Sequence, residues 1–177
     1  MFTACCAPTL AQEPGSSPAP SSLVQDAARL AREADPKMIA AKPLSNVLQA
    51  NCSAGNSVLA ALSEQNPIAA QRALNSAKAR YDDSYRSILE AVGTGAFKTP
   101  FDGKKLESIR KYPYTDLSKV TTHEDLLRQI AAIVKSSSEA LARIQSGNAD
   151  KGDLSLVIDN SAEITRLIAM FYNISVA

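Results

Sequence analysis

Apolar side chains recur every three or four positions along most of this chain, which is the period of a helix packed on one side. Leu23, Ala27, Leu30 and Ala34 form the first stripe. Ser22 precedes it with Gln25 three residues on, the spacing of a capping box. Asp35-Pro36 closes that helix, because a residue before proline avoids the helical region. Residues 36–43 read as a connector, and Pro43 as the first residue of a second helix carrying Leu44, Val47, Leu48, Val58, Leu59 and Leu62 on one face. Its middle, QANCSAGNS, is poor helix material. The small residues around Gly55 are expected to let a neighbouring backbone come close.

The third stripe is the clearest. Asn66 suits a cap and Pro67 a first helical position. Ala70, Leu74, Ala77, Tyr81, Tyr85, Ile88 and Val92 follow. Arg80/Asp83 and Asp82/Arg86 are the expected ion pairs on the outer face. Gly93 is the expected left-handed terminator. A fourth helix starts at Thr121 or Thr122, each with an acid three residues later (Glu124 or Asp125), and presents Leu127, Ile130, Val134, Ser137, Leu141 and Ile144 before Gly147. The fifth is capped by Asp153 and carries Leu154, Val157, Ile158, Ile164, Leu167, Ile168 and Phe171. That arc is wide enough to be central in a bundle or buried in a partner.

Residues 93–121 break the period, with three glycines and two prolines. Leu106 to Lys111 reads as one short helical turn within a long loop, and long ordered loops commonly carry function. The pattern as a whole predicts an all-α fold. It is an up-and-down four-helix bundle with a shorter additional N-terminal helix and one long loop at about 93–121.

Composition adds two points. Of 177 residues, 19 are basic and 18 acidic. A net charge of +1 gives no long-range field that would gather nucleic acid. No apolar run reaches the roughly 18 residues needed to span a bilayer. The opening MFTACCAPTLAQEPGSSPAPSS has no Lys or Arg, and Thr9-Leu10-Ala11 carries the small residues of a signal-peptidase site before Gln12. Residues 1–21 therefore read as a residual signal-peptide tail and a Pro/Ser-rich linker, and residues 22–177 as one helical domain. This order predicts export to the periplasm or an equivalent lumen, with Met1 internal to a longer signal. A cytoplasmic protein with an N-terminal tail and a lipoprotein acylated at Cys5 are the alternatives. Cleavage would leave Cys52 as the sole thiol, expected to be a small buried hydrophobe without a disulfide partner.

Candidate chemistry is sparse. His123 is the only histidine, so multi-histidine metal sites, paired Glu-x-x-His di-iron ligands and haem attachment motifs are missing. In the first turn of a helix it is expected to be exposed. Neither a nucleophile elbow nor a phosphate-binding loop occurs. These observations predict a non-enzymatic protein with no cofactor, metal or catalytic residue. The one constellation of interest is FKTPFDGKKLESIRKYPY. There Lys104, Lys105, Arg110 and Lys111, with Lys98, interleave with Phe97, Phe101, Tyr112 and Tyr114. Such a segment can contact phosphates, anionic lipid or an acidic protein face, or its aromatics can pin the loop to the bundle while the lysines are solvated. The expected function is a protein-interaction or accessory module whose partner is another protein, not nucleic acid. A ligand-binding or sensor bundle, with a pocket near Tyr81, Tyr85 and Gly55, is the alternative.

Overall fold

The computed structural model describes residues 36–62 and 67–172. The helix expected before Pro36 and the cap expected at Asn66 lie outside them. Among the described residues there are five helices and no strand: α1 Pro36–Leu62, α2 Pro67–Gly93, α3 Gly103–Arg110, α4 His123–Gln145 and α5 Asp153–Phe171. The fold is all-α. α1 packs on α2, α2 on α4, α4 on α5, and α5 returns to α1, so the four long helices close a ring.

Successive partners run antiparallel. Asp82 meets Ser138 and Asn75 meets Gln145 between α2 and α4. Arg143 meets Asp153 and Ser137 meets Asn160 between α4 and α5. In each case residue numbers rise on one helix as they fall on the other, which is the up-and-down arrangement that short links favour. The core holds Leu44, Val47, Leu74, Tyr81, Ile88, Leu126, Leu127, Ile130, Val134, Leu141, Val157, Ile164, Leu167 and Phe171, all buried. Each lies at the helical spacing that a one-sided stripe requires.

Several boundaries differ from the expected ones. α1 begins at Pro36, seven residues before Pro43, and the supposed connector is helical. Pro36 takes the first position, where a missing N–H costs nothing. Pro43 is then interior and buried. Helix runs unbroken through QANCSAGNS because Ala50, Asn51 and Ala54 are buried there, and packing overrides weak propensity. Gly55 admits no neighbour: a Cβ placed on it would meet nothing within 4 Å. The left-handed glycines are Gly95 and Gly147 (both φ 73°), so the turn after α2 falls two residues later than Gly93. On the outer face of α2, Asp82 pairs with Lys78 (2.6 Å) and Asp83 with Arg86, while Arg80 donates to Gln49 Oε1 at 3.4 Å.

Thr122, and not Thr121, caps α4, with Asp125 as its reciprocal partner. Glu124 instead pairs with Arg128 at 2.8 Å. Asp153 is the first residue of α5 and not its cap. Its carboxylate turns back to accept from Arg143 (2.6 Å to Nη2) and from the Asp150 N–H (2.9 Å).

A polar layer crosses the core. The Tyr81 hydroxyl donates to Asn51 Oδ1 (2.8 Å), and Asn51 Nδ2 donates to the Ser161 carbonyl (3.1 Å). Next to Ser161, Asn160 Nδ2 donates to Ser137 Oγ (3.1 Å). All four long helices contribute one or two members. No buried side-chain polar atom among the described residues is left without a partner, so the layer costs little and fixes the level at which the helices meet.

Candidate functional site

The segment 94–122, here called the strap, joins α2 to α4 and is far more ordered than a loop. Asp102 accepts from the Lys105 N–H (2.8 Å) and starts α3, so the expected turn at Leu106–Lys111 is a capped helix beginning three residues earlier, at Gly103. The Phe101 N–H donates to the Thr121 carbonyl and the Glu124 N–H to the Phe97 carbonyl, each at 2.9 Å. The two ends of the strap are thereby sewn together at the start of α4.

Its underside is apolar. Phe97, Phe101, Ile109, Leu117 and Val120 are all buried. Phe97 lies 6.1 Å from Phe171 between ring centres. The His123 ring sits between Phe101 (4.2 Å) and Phe171 (5.3 Å, edge-on). His123 is therefore half-buried rather than exposed, because the strap folds over the first turn of α4 and supplies an aromatic wall.

α5 holds the strap by polar contacts as well. Lys105 Nζ donates to the Met170 carbonyl (2.7 Å), a cation at the negative end of a helix. Glu163, buried on α5, accepts from the Tyr112 hydroxyl (2.8 Å) and from the Thr115 hydroxyl, and lies 3.6 Å from Arg166. Burial first, and then the adjacent Glu163 carboxylate, push the Tyr112 hydroxyl well above its ordinary pKa. Arg166 also lies over the Tyr114 ring, 4.3 Å from its centre. Glu163 and Phe171 are eight residues apart, so these anchors span about 12 Å of α5. Glu163 was not singled out in the sequence. The only sign of it is an acid set inside the apolar arc of ITRLI and its neighbours.

The eight residues expected at a contact surface thus divide. Phe97 and Phe101 are buried and pin the strap, so they face no partner. Tyr112 and Lys105 are half-buried and engaged with α5. Lys104, Arg110, Lys111 and Tyr114 are exposed. The acids around them are occupied: Asp102 caps α3, Asp116 accepts from the Ser118 N–H (3.0 Å), and Glu107 faces Lys111 at 3.8 Å. Hydrogen bonds from Ser118 hold Asp116 below the usual carboxylate range. Lys98, Lys104 and Arg110 make no ion pair among the described residues. The strap holds six basic and three acidic residues, leaving thirteen basic and fifteen acidic elsewhere. A nearly neutral chain therefore carries its positive excess on one segment.

Two other expectations are corrected. Cys52 is exposed rather than buried. Its helix turns Asn51 and Ala54 inward, and Cys52 instead lines a shallow open groove with Ser45, Leu48, Gln49, Ser53 and Arg80. The space expected beside Tyr81 and Tyr85 is filled: Tyr81 is fully buried and hydrogen-bonded, and Gly55 is exposed. Among the described residues no helix is long and apolar enough to cross a membrane. Comparison with protein-family models, with curated proteins and with solved structures finds no match to this chain.

Proposed function

We propose that this chain is a non-catalytic, exported interaction module that binds another protein through the outer side of the strap. One observation carries the reading. The strap's acids are tied to its backbone or to a neighbouring lysine, while Lys98, Lys104 and Arg110 stand in solvent without a counter-charge. Natural surfaces usually intersperse the two signs. A rigid, pinned segment with unbalanced cations offers a preorganised contact at small ordering cost. Export rests on the order of small-residue site, Pro/Ser linker and helical domain at the N-terminus.

Reversing Lys104, Arg110 and Lys111 to Glu tests the contact. Exposed charges each contribute less than about 1 kcal/mol to folding, so the variant should melt like the parent. It should also lose a protein that the parent recovers by crosslinking in native extract. A variant that recovers every partner of the parent overturns the reading. Export predicts Gln12 as the first residue of the protein isolated from its host, and a native protein retaining Met1 contradicts it.

A further inference from the structure

We infer that the strap's partner presents an acidic protein segment, which docks across Arg110 and Lys111 onto the Tyr114–Arg166 shelf. This inference rests on the reading of the strap as a contact surface and adds the chemistry of what it contacts.

Tyr114 is the observation that points beyond charge. Its side chain is 65% exposed, yet the ring is held on two sides, by the Arg166 guanidinium at 4.3 Å and by the edge of Tyr112 at 5.5 Å. Those two supports are themselves fixed, since both Tyr112 and Arg166 reach the buried Glu163. An aromatic and an arginine stacked in place before binding are the residue types that dominate protein interfaces. Their order is established before the partner arrives. Arg110 and Lys111 close α3 immediately before Tyr112, so the shelf is continuous in sequence with the strap's basic end.

Burial also separates the candidate ligands. Binding of single-stranded nucleic acid needs successive aromatic faces on which bases stack. Of the strap's four aromatics, Phe97 and Phe101 are buried and Tyr112 is half-buried with its hydroxyl engaged, leaving Tyr114 alone. An anionic membrane surface selects helices with an exposed apolar face beside their cations. The apolar side chains of α3, Leu106 and Ile109, turn into the protein. Glu107 stands among the exposed cations and would repel a continuous row of phosphates. A peptide that alternates carboxylates with apolar or amide side chains matches a shelf of alternating charge with one aromatic anchor.

Fluorescence anisotropy on the full chain decides the matter with four probes: a labelled peptide rich in Asp, Glu and Leu; its Asn/Gln counterpart; phosphatidylserine vesicles; and a single-stranded oligonucleotide. The acidic peptide should bind, more weakly as salt rises, and the amide counterpart should not. R110E/K111E and Tyr114→Ala should each weaken binding by about tenfold or more, and Tyr114→Phe should retain it. Tighter binding of vesicles or oligonucleotide than of acidic peptide overturns the partner class and leaves the strap a contact surface. So does an acidic peptide that fails to bind while charge reversal still abolishes capture of a native partner. If no probe binds and R110E/K111E keeps every native partner, both this inference and the reading beneath it fail.

Discussion

At the scale of single residues, the strap separates side chains that look alike in the sequence. Phe101 and Tyr114 both lie among lysines in a glycine- and proline-rich stretch, yet one is buried against His123 and the other is largely exposed. Phe101→Ala should cost about 3–5 kcal/mol, since it removes an aromatic from a packed wall. Tyr114→Ala should cost at most about 1 kcal/mol, because the lost contact is one exposed cation–π pair. Denaturant unfolding of the two variants checks the contrast, and equal losses would mean the strap is not pinned as described. Glu163 gives a second test. Removing its carboxylate leaves the Tyr112 and Thr115 hydroxyls without their acceptor, a loss of about 1–3 kcal/mol. Glu163→Ala should therefore let trypsin cut at Lys111 faster than in the parent, with Glu163→Gln in between. An unchanged cleavage rate would show that the aromatics alone hold the strap.

At the scale of elements, the helices were legible wherever one face is apolar and the ends carry their own signals. The stripes of α2 and α4 match the buried residues nearly one for one. α1 was misread because proline has two meanings: Pro43 suits a helix start, but Pro36 already occupies one, and packing carries the helix through the later proline. α3 was half seen, since its inward face is only Leu106 and Ile109 and a stripe that short has no measurable period. The Thr121/Thr122 ambiguity is physical as well. Asp125 accepts from the Thr121 N–H and hydroxyl and from the Thr122 N–H, all at 2.9 Å, so both threonines serve one carboxylate. What no local pattern contains is cross-helix pairing. Tyr81 reads as one more apolar step on α2, and only the fold shows its hydroxyl reaching Asn51. Tyr81→Phe should leave Asn51 Oδ1 short of a donor and cost about 1–3 kcal/mol, measured as a lower urea midpoint. A neutral or stabilising outcome would show that water or a neighbour satisfies Asn51 instead.

At the scale of the whole molecule, stability should be confined between an acid and an alkaline edge set by groups in different places. Burial alone would raise Asp82 and Asp125. Hydrogen bonds from Lys78 and Ser138 to the first, and from Thr121 and Thr122 to the second, outweigh it, so both lie below the usual carboxylate value. Asp153 is lowered by Arg143, and Asp116 by Ser118. A carboxylate with a lowered native pKa contributes stability above its unfolded value of about 4, and that contribution disappears as pH falls through the native one. The acid loss thus begins near the ordinary carboxylate range and deepens below it. The alkaline edge has the opposite sign. Burial raises Tyr81 and Tyr112, the latter helped by Glu163, so both stay protonated in the fold when the unfolded chain has begun to ionise. Their contribution is intact below the ordinary tyrosine value of about 10 and is lost as pH climbs beyond it. Urea midpoints measured across the pH range should show a plateau with both flanks. Asp125→Asn should flatten the acid flank by removing one titrating group at the start of α4, and the alkaline flank should be left as in the parent. Tyr112→Phe should do the converse. A single variant that moved both flanks together would mean that the profile follows net charge and not these local contacts.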